Sequence, residues 1–202
     1  MRGWSALSEP WKASFAQAAH AYLHDGSVPI GAVVVSDGGE IVTRGRNGFA
    51  YGRLAHAEIA ALSAISPAVD RSKCEIFCTL EPCPMCTGAI RLSQLRAVHC
   101  AADDPAAGSS AFLAANEFMR EFPCSVHGPC DPELEFVVVT LIAEFRQRTR
   151  HDRWREQWQR SYPNAVAVGC SLASAGAHAR WVSSSLSAEQ LYEHVATLRM
   201  AA

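Results

Sequence analysis

The sequence predicts an α/β fold in which helices pack against a mixed β-sheet, because strand-like segments alternate along the chain with helical ones. A hairpin is predicted over residues 30–43, where two runs rich in β-branched residues flank the turn signal Asp37-Gly38-Gly39. Short strands are predicted at 76–80 and 97–100. The strongest strand candidate is the apolar run LEFVVVTL at 134–141.

Helices are predicted between and after these strands. The first covers residues 8–24, where Ser8 serves as the N-cap and apolar side chains recur at helical spacing. The remaining ones are expected at 56–65, 83–92, 110–120 and 146–160.

The C-terminal part of the chain differs from the rest in composition. It is rich in Ala and Ser and lacks strong periodicity until a final helix near 188–200, predicted from the capping-box pair Ser187 and Gln190. We therefore expect a main domain over residues 1–160 and an Ala/Ser-rich appendage over residues 161–202.

Charge gives little indication of a polyanionic partner. The 202 residues carry 18 Lys and Arg against 20 Asp and Glu, a formal net charge of −2. The distribution is uneven, since six arginines and two acids between Arg146 and Arg160 give a local charge of +4. Such a stretch is usually a solvated helix face, with a nucleic-acid contact as the alternative.

Targeting signals and cysteine usage indicate a cytoplasmic protein. No run of about 18 uncharged apolar residues occurs, so no membrane span is expected. The N-terminal residues do not show the pattern of a signal peptide. Without a secretory signal the eight cysteines are expected to be reduced, and their C-x-x-C pair then indicates metal binding or redox chemistry.

Two short motifs carry the chemistry: His56-Ala57-Glu58 and Pro82-Cys83-Pro84-Met85-Cys86. Each alone is a weak signal, but each begins a predicted helix, and together they supply one imidazole and two thiolates. Three protein ligands leave the fourth position of tetrahedral zinc open, as in a catalytic site, and helix N-termini stabilise thiolates. We predict a Zn²⁺ site of His56, Cys83 and Cys86 with Glu58 beside it. A structural zinc site or a metal-free thiol pair is the alternative.

The H-x-E…P-C-x-x-C pattern is the signature of zinc nucleobase and nucleoside deaminases. The sequence resembles the cytidine deaminase-like superfamily, and within it the branch that holds tRNA adenosine deaminases and bacterial guanine and cytosine deaminases. Besides the histidine motif, the matching stretches are VPIGAVV at 28–34, Gly45-Arg46-Asn47, and TLEPCPMCTGA at 79–89. The resemblance covers residues 8–110 well and 111–150 loosely.

This resemblance implies a three-layer α-β-α sandwich with a five-stranded mixed sheet, and hydrolytic release of ammonia from an aromatic amine. Residues 1–160 would then be the zinc deaminase domain, with Glu58 as the catalytic proton carrier. Asn47 would bind the substrate, although an ordinary turn residue is the alternative, and backbone N–H groups near Ala57 and Cys83 would help to position the reacting oxygen. Relatives form dimers, so a homodimer is expected.

Two features bear on the substrate. The tRNA-editing relatives carry a longer segment between the asparagine and the histidine, whereas here Asn47 and His56 are joined by GFAYGRLA. This difference favours a small guanine- or cytosine-like base, a nucleoside or a related heterocycle. Residues 144–148 (EFRQR), however, resemble the basic final helix of the tRNA enzymes, so tRNA adenosine deamination is the alternative. A non-catalytic zinc-binding module is a third interpretation, against which the intact Glu58 argues.

A second cluster of potential ligands contains Cys124, His127 and Cys130. We expect a loop with free thiols there, and the alternatives are another metal site or the entrance for the substrate. The phenylalanines between residues 112 and 122 are expected to pack in the core, with closure over a planar base as the alternative.

Overall fold

A mixed five-stranded sheet forms the centre of the protein in this computed structural model, which describes residues 3–151 and 155–200. The strands are β1 (Gly31–Val35), β2 (Ile41–Arg46), β3 (Glu75–Cys78), β4 (Ala97–Cys100) and β5 (Ser125–His127). They lie in the order β2-β1-β3-β4-β5. β1 is antiparallel to β2 and β3, whereas β3, β4 and β5 run parallel.

Nine α-helices and four short 3₁₀-helices lie within the described residues. The α-helices are α1 (Glu9–Leu23), α2 (Ala57–Ser63), α3 (Pro84–Leu92), α4 (Glu117–Arg120), α5 (Pro132–Arg148), α6 (Arg155–Ser161), α7 (Pro163–Ser174), α8 (Ala177–Ser183) and α9 (Ala188–Thr197). In the part of the chain so described, no helix has both the length and the apolar character needed to cross a membrane.

The helices cover the two faces of the sheet, which confirms the predicted three-layer α-β-α arrangement. On one face α1 packs against β1, β2 and β3, with Trp11 in edge-to-face contact with Phe77. On the other face, alternate strand residues such as Val34 and Ile76 share a core with Ala57 and Ala61 of α2. The predicted hairpin and the strands near 76–80 and 97–100 are present.

The strand predicted at 134–141 is wrong, because these residues belong to α5. Asp131 caps this helix, accepting hydrogen bonds from the backbone N–H groups of Glu133 (2.8 Å) and Leu134 (3.0 Å). Pro132 occupies the first helical position, where its missing N–H carries no cost. A helix buried on nearly all sides has a continuous apolar sequence, which periodicity cannot distinguish from a buried strand.

The fifth strand instead lies in the cluster that was expected to be a loop. Residues 125–127 pair in parallel with β4, so the loop prediction is wrong for this segment. The single helix predicted at 110–120 is also wrong, since a 3₁₀-helix, Ser110–Ala114, is followed separately by α4. The helix predicted at 146–160 corresponds to the end of α5 and to α6, and its residues 152–154 lie outside the described residues.

The C-terminal helices share a hydrophobic core with α1 and α5. Trp158, Trp181 and Tyr192 are buried there together with Phe15 and residues of α5. The final helix α9 begins at the predicted capping box, in which the Ser187 and Gln190 side chains bond reciprocally to backbone N–H groups. The division of the chain into residues 1–160 and 161–202 stays a prediction.

Candidate metal centre and active site

The structure brings His56, Cys83 and Cys86 together at the N-termini of two helices. His56 is the N-cap of α2, Cys83 is the N-cap of α3, and Cys86 lies in the first turn of α3. The two sulfur atoms are 3.6 Å apart, and the Nδ1 atom of His56 lies 3.6 Å from Cys83 Sγ and 3.4 Å from Cys86 Sγ. These three residues form a group of potential metal ligands that matches the prediction.

The spacing of these atoms fits a tetrahedral zinc ion. With Zn–S bonds of about 2.3 Å and a Zn–N bond of about 2.0 Å, tetrahedral angles place two sulfurs about 3.8 Å apart and sulfur and nitrogen about 3.5 Å apart. The observed separations agree with these values to within a few tenths of an ångström. Two thiolates and one imidazole are also the soft and borderline donors that zinc prefers. His56, Cys83 and Cys86 could therefore hold Zn²⁺ and leave a coordination position open.

The ionisation of the thiols is strongly coupled. Hydrogen bonds with Cys86 and with His56 lower the pKa of Cys83 to about 3. The pKa of Cys86 is raised, first by its hydrogen bond to Cys83 and then by burial. The hydrogen bond with Cys83 also raises the pKa of His56, while burial lowers it. The lowered pKa favours the thiolate form of Cys83, and a divalent cation would favour thiolates at both cysteines.

Glu58 places a buried carboxyl group beside the three ligands. It is the second residue of α2 and is 4% exposed. Burial raises the pKa of Glu58, and the positive charge of His56 and a hydrogen bond with Cys86 oppose this shift. A carboxyl group with a raised pKa exchanges protons nearer to neutral pH than an ordinary glutamate does.

Glycine at position 45 allows α2 to lie directly against the sheet. A methyl group added to Gly45 would lie 2.1 Å from the carbonyl oxygen of Ala57 and 2.5 Å from the backbone nitrogen of Ala61. Such distances are far shorter than any van der Waals contact. This close approach sets the position of α2, which begins immediately after His56 and has Glu58 as its second residue.

A cavity of about 320 Å³ adjoins the metal-binding residues. His56, Glu58 and Cys83 form part of its wall. Six of its other lining residues are apolar: Val28, Ile30, Phe49, Leu80, Ala107 and Phe145. The other five have polar side chains: Asn47, Glu81, Asp104, Arg146 and His151. This size lies at the low end of ligand-binding cavities, which favours a small ligand.

The two predicted substrate contacts lie at different places. Asn47 is buried and lines the cavity, and its Oδ1 accepts a hydrogen bond from the backbone N–H of Phe49 (2.9 Å). It is thus a turn residue as well as a cavity residue. Ala57 follows His56 at the start of α2, and its side chain packs in the core between α2 and the sheet. The substrate-binding roles of both residues stay predictions.

Glu81 fixes the loop that forms one wall of the cavity. Its carboxylate accepts hydrogen bonds from the backbone N–H and the hydroxyl group of Ser110, and from the N–H of Asp104 (3.3 Å). A Cβ at Gly108 would collide with this carboxylate. Glu81, which lies between β3 and Cys83, therefore connects this segment to the loop that carries Asp104.

Several lining residues were not predicted from the sequence. Phe49 and Asp104 carried no motif, and Arg146 was assigned to a solvated face or a nucleic-acid contact. Arg146 instead lines the cavity, and its burial lowers the pKa of its guanidinium group, which the charge of Asp104 opposes. The basic character of residues 146–160 was the available signal for this residue.

Other arginines of the basic stretch are used in ion pairs. Arg148 contacts the fully buried Glu144 at 2.9 Å, and Arg160 contacts Glu156 at 3.1 Å. In the Cys124–Cys130 cluster the cysteines are free thiols, as expected. Among the residues that the structure describes, His56, Cys83 and Cys86 form the one group whose ligand atoms lie close enough together to hold a metal ion.

Comparisons with known proteins agree with this geometry. Residues 7–102 match the family model described as the cytidine and deoxycytidylate deaminase zinc-binding region. The chain is 41% identical over 93 residues to the tRNA-specific adenosine deaminase of Bacillus subtilis (strain 168), a match that covers 44% of this chain and 57% of that protein. It is 36% identical over 89 residues to the guanine deaminase of the same organism, covering 42% and 56%. The chain thus spans little more than half the length of these relatives.

Solved structures show the same fold. A structure from a study of A-to-I editing by tRNA:A34 deaminases is 31% identical, with a TM-score of 0.51, and the match covers 59% of this chain and 96% of that one. A guanine deaminase from Nitrosomonas europaea has a TM-score of 0.50 at 23% identity, covering 69% and 85%, a likeness that concerns the fold alone.

Proposed function

Because this chain belongs to the cytidine and deoxycytidylate deaminase family, we propose that it is a zinc-dependent hydrolase. It would remove an amino group from a small guanine- or cytosine-like base, a nucleoside or a related nitrogen heterocycle, and release ammonia. The observation that carries this proposal is the buried carboxyl group of Glu58 beside His56, Cys83 and Cys86 in the wall of a largely apolar cavity. Zinc bound by these ligands supplies a Lewis acid that makes water nucleophilic at neutral pH.

Glu58 moves the protons in this proposal. Hydrolytic deamination moves both protons of the attacking water, the first to a ring nitrogen and the second to the departing amine. The raised pKa of Glu58 suits both directions of transfer, because the carboxylate can accept a proton and the acid can return it. Burial keeps the group away from bulk water, so the proton it holds is directed to the substrate.

Asn47 orients the ring. Since its Oδ1 atom already accepts a hydrogen bond from the N–H of Phe49, we assign the substrate contact to its amide N–H groups. Those groups would donate to a carbonyl oxygen or a ring nitrogen of the base. The apolar side chains of Ile30, Leu80 and Phe145 would then pack against the faces of the ring.

The charges around the cavity support a small substrate. Glu81 and Asp104 line it, and Asp103 and Glu135 line a neighbouring cavity that shares these two residues. Burial raises the pKa of Asp103, Asp104 and Glu135. The negative charge of Glu81 also raises the pKa of Asp103 and Asp104. A cluster of acids repels the phosphates of a nucleic acid, whereas a neutral base carries no such cost.

Deamination of adenosine in tRNA is the second candidate. It is supported by the 41% identity to a tRNA-specific adenosine deaminase and by Arg146, which carries a positive charge into the cavity from a basic stretch. Arg150 lies exposed just beyond α5, where it could contact a phosphate. A homodimer and a cytoplasmic location stay predictions from the sequence.

The test is ammonia release from zinc-loaded protein. The substrates would be guanine, cytosine, adenine, their nucleosides and unmodified tRNA, with Glu58→Gln as the inactive variant and Glu40→Gln, on the exposed hairpin turn, as the matched control. We expect release from one small molecule, a rate lower by about 10² to 10⁴ in Glu58→Gln, and an unchanged zinc content in both variants.

Other results would change the assignment. Release from tRNA alone would replace the proposed substrate by the second candidate. A protein that binds one zinc ion but deaminates none of these compounds would favour the non-catalytic module. Equal activity in Glu58→Gln and wild type would refute the role of Glu58.

A further inference from the structure

Two aromatic side chains from distant parts of the chain meet at the cavity. Phe49 lies in the loop between β2 and α2, and His151 follows the end of α5. Their ring centroids are 6.5 Å apart at an interplanar angle of 82°, an edge-to-face contact, and both side chains line the cavity. We call this pair the aromatic bridge.

The aromatic bridge lies where the cavity opens to solvent. Of the lining residues, Phe49, Ala107 and His151 are exposed, whereas the others are buried or half-buried. Phe49 retains 41% exposure although it is a large apolar side chain. A ligand that extends beyond the cavity has to pass these three residues.

The loop holds Phe49 firmly in this position. Its N–H donates to the Oδ1 of Asn47, the N–H of Gly48 donates to the carbonyl of Ala55 (2.7 Å), and the N–H of Ala50 donates to the hydroxyl of Ser27 (3.2 Å). The residues on both sides of Phe49 are thus bonded to other parts of the chain. The backbone that carries the Phe49 ring is therefore held by hydrogen bonds within the chain.

His151 is held from the opposite side. Its backbone N–H donates to the carbonyl of Arg146 (3.0 Å), and its Nδ1 atom lies 3.0 Å from the hydroxyl of Thr149. The first contact attaches the backbone of His151 to the end of α5, and the second attaches its ring to the hydroxyl group of Thr149. The aromatic bridge therefore spans two fixed segments of backbone across the mouth of the cavity.

We propose that the aromatic bridge makes the site selective for free bases over nucleosides. This inference rests on the proposed function and narrows its substrate class. A planar heterocycle can lie within the cavity against Ile30, Leu80 and Phe145 and reach Phe49 at the mouth. The ribose of a nucleoside is neither flat nor apolar, and it would have to lie at the mouth, where Phe49 and His151 occupy the space that it needs.

The experiment compares a free base with its ribonucleoside. The variants are Phe49→Ala and His151→Ala, and the matched control is Tyr51→Ala, which removes a 79% exposed ring from the same loop. We expect wild type to prefer the free base in kcat/KM, and each bridge variant to lower that preference about tenfold, the upper range for an aromatic pair. The change should come from a lower KM for the nucleoside and a higher KM for the base. Tyr51→Ala should keep the wild-type preference.

The outcomes separate this inference from the proposed function. Equal kcat/KM for base and nucleoside in wild type, or an unchanged preference in both bridge variants with zinc content and melting temperature retained, would overturn the inference and leave the deaminase assignment intact. Absence of turnover on every compound would instead refute the proposed function. Calorimetric titration of the same base and nucleoside would still decide the inference in that case, because selectivity of binding requires no turnover.

Discussion

Replacing Gly45 by alanine tests whether the contact between β2 and α2 positions the metal site. The added methyl group would lie 2.1 Å from the carbonyl oxygen of Ala57 and 3.0 Å from the Cβ of Ala61. An ordinary contact requires at least 3.4 Å, so the start of α2 must move away by roughly 1 Å or more. His56 immediately precedes this helix, and its imidazole would move with it.

The expected cost follows from the atoms involved. Overpacking typically destabilises by about 1 to 3 kcal/mol, and we expect about 3 kcal/mol here because the colliding atoms belong to helix backbone that cannot rotate away. A glycine-to-alanine change in open space has the opposite sign and stabilises by about 0.4 to 1 kcal/mol. Gly52→Ala is the matched control, since none of the described residues lies within 4 Å of a methyl group added there.

The assay is urea unfolding of the zinc-free proteins together with zinc titration of each variant. We expect Gly45→Ala to unfold at lower urea with an unchanged slope and to bind zinc more weakly than wild type, because ligand atoms displaced by more than about 0.2 Å no longer fit the ion. Gly52→Ala should match wild type or exceed it in stability. If Gly45→Ala equals the control in both measurements, the close approach of β2 and α2 does not position His56.

Three further predictions concern stability. Glu144→Ala should lower the free energy of unfolding, measured by urea unfolding, by about 3 kcal/mol. The substitution leaves Arg148 and the hydroxyl group of Tyr22 without their buried partner. Burial lowers the pKa of His99, so below its unfolded value of 6.5 the unfolded chain binds more protons. Stability should therefore fall as pH drops from 6.5 through the lower folded pKa, and His99→Leu should flatten this part of the pH profile. Removal of zinc by a chelator should lower Tm by roughly 5 to 10 °C if free zinc had been about a hundredfold above Kd. The Tm of Cys83→Ser, which lacks one of the ligands, should not change when the chelator is added.

The metal-binding residues could be predicted because their signal is local. His56 and Glu58 are two positions apart, Cys83 and Cys86 are three apart, and each pair begins a helix that its own sequence indicates. A motif of this kind needs one tertiary contact, between the starts of α2 and α3, to become a site. The resemblance to known deaminases supplied that contact and the number of strands in the sheet.

The rest of the cavity wall could not be predicted in this way. Phe49, Asp104 and His151 come from three loops, and their meeting depends on where each loop leaves the sheet or the helix. The contact between Phe49 and His151 joins residues about one hundred positions apart. No periodic pattern or spacing in the sequence encodes such a contact.

The helical conformation of α5 links the C-terminal part of the chain to the cavity. Glu144 and Arg148 are one helical turn apart, and Arg148 donates a hydrogen bond to the Glu144 carboxylate. This carboxylate also accepts a hydrogen bond from the hydroxyl group of Tyr22 in α1 (2.6 Å). Phe145 and Arg146, the next residues along the helix, line the cavity. In a strand, Glu144 and Arg146 would face the same side, but a helix separates them by about 200°. One face of α5 can therefore be fixed in the core while the other forms the wall against which a substrate would lie.

The packing of α7 on α5 extends this link to residues 163–174. Gly169 allows the close approach, since a methyl group there would lie 2.6 Å from the carbonyl oxygen of Thr140. The C-terminal helices also bond to α1, where His178 contacts the carbonyl oxygen of Tyr22 at 3.0 Å. A segment outside the matched residues 7–102 therefore holds in place the helix that supplies Phe145 and Arg146. We therefore expect substrate preference in this protein to depend on residues outside the matched zinc-binding region, in α5 and in the helices that follow it.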